Sequence, residues 1–253
     1  MPSFSKSMTV GALLACAGFS TVACAENESS LFVIGVYALG RTQCVAEPNS
    51  TAVLLPSGIL DRSLASGYNA ALLVGSQLTS RGSRESLRTE TSRLSIEGAH
   101  ITIYSTEGAE ITRPDVAATG LVHPANGTDP GLATVFAQLI RPADVASLGP
   151  PGQAIVRVRI FGTTLGGQEI ESGDYDFPIT VCDGCLISYP PEAADPSAPT
   201  GVYLCSPAVD TMDETTQVCN PGQDDLIPCT ECAAFNTACR DPLMNMSLFP
   251  PTP

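Results

Sequence analysis

The chain has 253 residues, with 26 acidic against 12 basic side chains and a net charge of −14. Lys6 is the only lysine, so the part after residue 25 carries 11 arginines against 26 acids, a net charge of −15. Such a surface repels nucleic acid and anionic membrane, which excludes both as expected partners.

The first thirty residues are typical of an export signal. Lys6 supplies a positive charge, and an apolar run of small residues follows over 8–23. This run is shorter than the roughly 18 or more residues that a membrane-spanning helix needs, and it fits the hydrophobic region of a secretory signal. We therefore expect a signal peptide over 1–25, or a lipoprotein signal ending at residue 23, followed by a polar tether over 26–30.

Three cleavage sites compete. Residues 21–24 (TVAC) resemble a bacterial lipobox, which would leave Cys24 as a lipidated N-terminus, whereas residues 23–25 (ACA) would release a soluble protein starting at Glu26. A lipobox ending at Cys16 would leave a shortened hydrophobic region, and it would leave Cys24 as a thiol without a disulfide partner. Either of the first two leaves eight of the ten cysteines, an even number that can pair. We favour lipidation at Cys24.

Residues 31–181 are typical of a series of short strands. Gly166-Gly167 predicts a hairpin, and only residues 141–149 indicate a helical turn. Alternation of apolar and polar side chains with period two is typical of strands packed on one face. The six runs that are apolar or alternate in this way are 31–39, 67–78, 99–105, 132–140, 154–162 and 174–182.

Serial short strands without long helices predict an all-β domain over residues 31–181. We expect an antiparallel immunoglobulin- or fibronectin-like β-sandwich, with a barrel as the alternative. The composition changes at Cys182, because residues 182–253 carry seven cysteines, many prolines and few apolar runs. This C-terminal region is expected to be irregular, stapled by disulfides, without a core of its own, and interrupted by a Pro-rich spacer over 189–201.

The cysteines after residue 25 are expected to form structural disulfides, since export places them in an oxidising compartment. Seven cysteines in the C-terminal region cannot all pair among themselves. The eighth, in the β domain, is therefore expected to pair with one of them and clamp the region onto the domain. The connectivity stays open. The eight candidates are Cys44, Cys182, Cys185, Cys205, Cys219, Cys229, Cys232 and Cys239.

Two C-x-x-C pairs, Cys182/Cys185 and Cys229/Cys232, allow two other hypotheses. Four thiolates can bind zinc, but these pairs are separated by far more than the roughly 15–20 residues usual for such sites. A redox C-x-x-C gains a reactive thiolate when its first cysteine opens a helix, whereas Cys182 ends a strand-like run. Structural disulfides are therefore the favoured interpretation.

No catalytic residue and no metal site are predicted. His100 and His123 are too few for a metal cluster, and the sequence has no serine-hydrolase or zinc-protease motif. Acidic loops at 173–176, 210–214 and 221–225 could bind calcium through oxygen ligands, although none has the spacing of an EF-hand loop. Apart from this calcium alternative, we expect no cofactor.

Several blocks of sequence, in order, carry a resemblance. They are GYNAALLVGSQL (67–78), ETSRLSIEGAHITI (90–103), DYDFPITVCDGCL (174–186) and CNPGQDD (219–225). They resemble uncharacterised secreted or lipid-anchored envelope proteins of myxobacteria and their relatives, over about residues 30–232. The resemblance implies export, a β-rich domain, a cysteine-rich end and no assigned activity. The spacing of the strand-like runs, and no other feature, is similar to that in water-stress-type late-embryogenesis domains, which are small β-sandwiches.

These features predict a non-enzymatic, exported cell-envelope protein, anchored to the outer membrane by lipid or free in the periplasm or outside the cell. The expected partner is an envelope or extracellular protein or a polysaccharide, with membrane contact only through the lipid anchor. A subunit of a surface assembly and a calcium-dependent adhesin are alternatives. The competing class is an exported thiol-redox or metal-binding protein that uses Cys182 and Cys185.

Overall fold

The computed structural model describes residues 30–39, 44–83, 88–149, 152–189, 205, 218–233 and 236–239. The expected signal, the expected lipidation site Cys24 and the acidic loop 210–214 lie outside these residues. Within the described part, no helix has both the length and the hydropathy to cross a membrane. The elements are β1 (Leu31–Tyr37), β2 (Leu54–Leu55), β3 (Gly58–Asp61), β4 (Tyr68–Ser76), β5 (Leu94–Ser105), β6 (Glu110–Thr112), β7 (Asp115–Val122), β8 (Gly131–Ile140), α1 (Pro142–Val145), β9 (Gly152–Thr164), β10 (Glu169–Glu171), β11 (Tyr175–Cys182), β12 (Ile187–Ser188), β13 (Ile227–Pro228), α2 (Cys229–Cys232) and a 3-10 turn over Thr237–Cys239.

Eleven strands form one hydrogen-bonded sheet. Their order is β2-β1-β4-β8-β7-β5-β9-β11-β3, with β6 paired to β5 and β10 paired to β9. The pairing of β11 with β3 is parallel, and the other pairings along this path are antiparallel. Two short strands of the C-terminal region, β12 and β13, form a separate parallel pair.

The two ends of this strand path come together. β2 ends at Leu55 and β3 begins at Gly58, yet these strands lie at opposite ends of the path. The intervening chain can span only on the order of 10 Å, so the sheet curls until its edges are neighbours. The all-β prediction is confirmed, but the sheet is large and nearly barrel-like. It does not clearly form an immunoglobulin-like sandwich, because one continuous path of paired strands replaces two separate sheets.

The core lies inside this curled sheet and is built by alternation along the strands. On β9, Val156, Val158 and Ile160 are 0% exposed, while Arg157 and Arg159 point outward. Inward-facing apolar side chains from the neighbouring strands join them in one buried cluster. The period-two pattern in the sequence therefore corresponds to an inner and an outer face of the sheet.

Strand β4 departs from the expected one-sided packing because both of its faces are buried. Leu72 and Val74 face the core, whereas Ala71 and Leu73 join Tyr37 in a second cluster on the outer face. Ala46, Ala52 and Leu54, which follow β1 in the chain, pack against this outer cluster.

The glycine at the start of β3 permits close packing where the sheet edges meet. A Cβ atom on Gly58 would lie 2.6 Å from Tyr68 Oη and 2.9 Å from Phe177 Cε1. The Tyr68 and Phe177 rings are fully buried, with centroids 6.1 Å apart. A larger residue at position 58 would push these rings apart.

The C-terminal region has a small core of its own, contrary to expectation. Half of its members are cysteines, so disulfides supply apolar surface that ordinary side chains do not. Leu64, which follows β3, packs against this cluster and connects it to the domain. The buried members are Ile187, Cys205, Val218, Ile227, Cys229, Cys232, Ala233 and Cys239.

Candidate functional site

All eight cysteines that follow residue 25 are paired in the structure. The disulfide Cys44–Cys219 joins residues 175 positions apart, so it connects the chain just after β1 to the C-terminal region. Disulfides persist in oxidising compartments, and this pairing is consistent with an exported environment. The other three bonds are Cys182–Cys185, Cys205–Cys229 and Cys232–Cys239.

The two C-x-x-C pairs do not converge on one site. Cys182 and Cys185 bond to each other, whereas Cys229 and Cys232 bond to other partners. Zinc binding and thiol exchange both require thiolates. These sulfurs offer none while they are oxidised, although ligand atoms of Asp61, Cys182 and Cys185 lie within 4.8 Å of one another.

The carboxylate of Asp61, a residue that sequence reasoning missed, organises the Cys182–Cys185 turn. Asp61 is 0% exposed. Its Oδ1 accepts hydrogen bonds from Ser63 N at 3.0 Å, Ser63 Oγ at 2.6 Å and Gly184 N at 2.7 Å, and its Oδ2 accepts one from Leu186 N at 2.9 Å. These donors satisfy the buried carboxylate. An aspartate after a short apolar run is too common a pattern to predict this role.

The segment 218–225, which we call the C-terminal clamp, covers the open edge of β3. The backbone N–H of Asp61 donates to Gly222 O at 2.9 Å, and that of Asp224 donates to Ile59 O at 3.1 Å. In return, Ile59 N donates to Asp224 Oδ1 at 2.8 Å. The clamp therefore supplies the hydrogen-bond partners that a neighbouring strand would provide, which protects an exposed strand edge.

Two side chains of the clamp also hold β4. Tyr68 Oη donates to Asp224 Oδ2 at 2.7 Å. The Gln223 amide forms a pair of bonds with the Asn69 backbone: it accepts from Asn69 N and donates to Asn69 O, both at 3.2 Å. Clamp and sheet are thus joined by side chains as well as by the Cys44–Cys219 disulfide.

Burial sets the protonation behaviour of the Tyr68–Asp224 pair. Desolvation raises the pKa of the Asp224 carboxyl, and the hydrogen bonds from Ile59 N and Tyr68 offset only part of this effect. Desolvation, followed by the charge of Asp224, raises the pKa of Tyr68 well above its usual value. Asp224 belongs to the acidic loop 221–225, and its carboxylate faces inward to these donors.

A second acidic loop, 173–176, lies on the outer face of the sheet and pairs with arginines. Arg157 Nε lies 2.7 Å from Asp176 Oδ1, and Arg159 Nη2 lies 2.6 Å from Asp174 Oδ1. The carboxylates of Asp174, Asp176 and Asp224 therefore have protein partners. Ion pairs of this exposed kind contribute about 0–1 kcal/mol each to stability.

The two histidines do not come together. His100 Nδ1 lies 2.6 Å from Asp115 Oδ1 on the neighbouring strand, and the His100 ring stacks on Phe161 with centroids 4.6 Å apart. His123 is exposed and directly follows the last residue of β7. Their positions agree with the interpretation of each as a structural or solvated side chain.

A groove of about 340 Å³ lies beside the Cys44–Cys219 disulfide, and we call it the neutral groove. Its apolar part includes Leu39, Ala71 and Phe136, and its polar part comes from the amides of Asn69, Gln138 and Asn220. The Phe136 residue is 56% exposed. Sequence reasoning placed Phe136 in a strand but could not tell which face it occupies or that the face would stay open.

The chain matches no protein-family model and no curated protein. The functional conclusion therefore depends on the chemistry of the described residues.

Proposed function

We propose that this chain is an exported cell-envelope protein that acts as a binding or structural module and not as an enzyme. The observation that supports it most is the pairing of all eight cysteines that follow the export signal. Proteins of the reducing cytosol rarely keep such disulfides, whereas exported proteins commonly do.

A lipid anchor at Cys24 is part of this proposal. The lipobox-like residues 21–24 would place the lipidated cysteine a few residues before β1, with the polar residues 26–30 between the membrane surface and the sheet. The resemblance to lipid-anchored envelope proteins of myxobacteria agrees with this arrangement. The strongly acidic remainder of the chain favours contact with a protein or a polysaccharide over contact with anionic lipid.

The architecture suits presentation of a surface to a partner. The Cys44–Cys219 bond joins the chain at Cys44 to the clamp, and backbone hydrogen bonds hold the clamp against the sheet. Binding surfaces on rigid, cross-linked elements lose less conformational entropy when a partner binds. A thiol-redox role would instead require Cys182 and Cys185 to be present as thiols in the native protein.

The test is the intact mass of the protein isolated from its native envelope, measured after alkylation without and with prior reduction. We expect a mass that starts at Cys24 with acyl chains and no alkylation until reductant is added. A mass that starts at Glu26 would remove the lipid anchor from the proposal and leave a secreted module. Alkylation of Cys182 and Cys185 without reductant would overturn the structural interpretation in favour of thiol chemistry.

A further inference from the structure

We propose that the neutral groove binds an uncharged glycan, with the Phe136 ring as the stacking surface and the amides around it as hydrogen-bonding groups. This inference rests on the proposed function as a binding module and names the class of ligand. It gives a role to an aromatic side chain that the fold leaves exposed.

The Phe136 ring is open because its cross-strand neighbours are small. On β8 it lies opposite Ala71 of β4 on one side and opposite Thr119 of β7 on the other. Neither side chain is long enough to cover a phenyl ring, and the residue remains 56% exposed. A flat apolar ring bordered by small residues can be covered by the C–H face of a sugar ring, which removes apolar surface from water on both sides.

The amides next to this ring are held in a defined arrangement. Asn69 and Gln138 are cross-strand partners on β4 and β8, and Gln138 Nε2 donates to Asn69 Oδ1 at 3.3 Å. This bond does not use Gln138 Oε1, an acceptor, or Asn69 Nδ2, a donor. Neighbouring sugar hydroxyls each donate and accept hydrogen bonds, so an adjacent amide donor and acceptor match a pair of them. Asn220 of the clamp adds a third amide to the groove.

The lining favours an uncharged ligand. The described residues that line the groove carry no charged side chain, although the whole chain has a net charge of −14. The acidic surface outside the groove would repel an anionic ligand. The same surface would attract a cationic ligand away from the groove. The groove volume of about 340 Å³ lies within the range of ligand pockets.

The position of the groove favours a glycan over an extended peptide. A peptide binds to a sheet most readily by adding a strand at an open edge. The groove lies over β4 and β8, which are interior strands, with β4 between β1 and β8 and β8 between β4 and β7. Within the groove, the backbone N–H and C=O of Asn69 are already bonded to the side-chain amide of Gln223 and are not available to such a peptide. Recognition here must therefore come from side chains, as stacking and amide contacts provide.

The experiment uses the purified processed protein on an array of uncharged oligosaccharides built from hexose and N-acetylhexosamine units, with sulfated oligosaccharides as charged probes. Titration calorimetry then gives the affinity for the strongest uncharged binder. We expect Phe136→Ala to lower this affinity at least tenfold and Gln138→Leu to lower it about fivefold. The matched control is Leu121→Ala, which removes another exposed apolar side chain outside the groove and should leave the affinity unchanged.

Phe136→Leu serves as a second variant if Phe136→Ala does not fold, because it keeps apolar volume and loses only the flat ring. Absence of binding to every uncharged oligosaccharide, stronger binding to the sulfated probes, or unchanged affinity of both Phe136 variants would overturn the inference. Self-association that depends on Phe136 would also overturn it, in favour of a contact between two copies of the chain. Any of these results leaves the mass measurement unaffected, so failure of the ligand class and failure of the proposed function are distinguishable.

Discussion

The hydroxyl of Tyr68 on β4 donates a 2.7 Å hydrogen bond to the carboxylate of Asp224, which lies 156 positions further along the chain. Tyr68 is 0% exposed and packs beside Phe177 where the edges of the sheet meet. The same carboxylate accepts the backbone N–H of Ile59. One acidic side chain thus connects the clamp to two strands at the seam of the sheet.

Tyr68→Phe tests this connection. The variant keeps the buried ring and removes only the hydroxyl, so Asp224 loses a donor in a partly desolvated position. We expect the free energy of unfolding to fall by about 1–3 kcal/mol, measured by urea denaturation. Tyr104→Phe is the matched control, since Tyr104 is a partly exposed outer-face residue whose ring lies under Arg157, and it should change stability by less than about 0.5 kcal/mol. Equal effects of the two substitutions would show that the bond does not stabilise the fold.

The raised pKa of Asp224 predicts a specific pH dependence. Because the folded state binds the Asp224 proton more tightly than the unfolded state, this residue lowers stability as the pH rises from its unfolded pKa through its folded pKa. Asp176 acts in the opposite sense, because its hydrogen bonds to Arg157 lower its pKa and its contribution is lost as the pH falls. The contribution of Asp224 to the pH dependence of stability is therefore isolated by comparing the stability of wild type with that of a variant at position 224.

The variant is Asp224→Asn, compared with wild type by urea denaturation at several pH values above about pH 4, near the usual carboxyl pKa. Wild-type stability relative to the variant should decrease as the pH rises and then become constant. A relative stability that increases over the same range would mean that the folded state favours the Asp224 carboxylate, contrary to the effect of its burial.

The four disulfides should differ in how much they stabilise the fold. In the chain-entropy model, a bond between residues 175 positions apart, such as Cys44–Cys219, contributes about 5 kcal/mol. A bond between residues 3 positions apart, such as Cys182–Cys185, contributes about 2 kcal/mol. We expect the double alanine variant at Cys44 and Cys219 to have a clearly lower free energy of unfolding than the double alanine variant at Cys182 and Cys185. Urea denaturation of both variants measures this difference. The reverse order would contradict the role of Cys44–Cys219 as the main staple.

Asp61→Asn should destabilise the protein by more than about 2 kcal/mol, because an amide cannot accept all four hydrogen bonds and turns a donor toward backbone N–H groups. Thermal unfolding monitored by circular dichroism measures the loss. Asp115→Asn is the matched control, since its carboxylate is exposed beside His100, and it should change stability by about 0.5 kcal/mol or less. A similar small effect at both positions would exclude Asp61 as the organiser of the Cys182–Cys185 turn.

Much of the β structure is predictable from the sequence, because alternation on β9 and the apolar run of β4 reflect burial directly. The hairpin turn at Gly166-Gly167 and the short helix α1 were also within reach of local patterns. Strand β7 was missed, since DVAATGLV combines small, polar and glycine residues with little alternation. Its strand conformation depends on pairing with β5 and β8, which is not encoded locally.

The candidate sites were less predictable for the same reason. Cysteine parity pointed to a bond between Cys44 and the C-terminal region, but parity cannot identify Cys219 as the partner. Asp61 accepts two hydrogen bonds from nearby Ser63, but its bonds from Gly184 and Leu186 and the bonds of Asp224 come from residues far away in sequence, and a single acidic residue carries no local signal of such contacts. The openness of Phe136 depends on the small size of Ala71 and Thr119, which only the strand register brings beside it.

The disulfide between Cys44 and Cys219 also makes the intervening chain a covalent ring that contains nearly all of the sheet. A protease that cuts one peptide bond within this ring produces two fragments that remain a single molecule. Because the disulfide still tethers the two parts, they stay at a high effective concentration and the strands can keep their pairing. A single cut in a surface loop within the ring would therefore release no fragment until the Cys44–Cys219 disulfide is reduced.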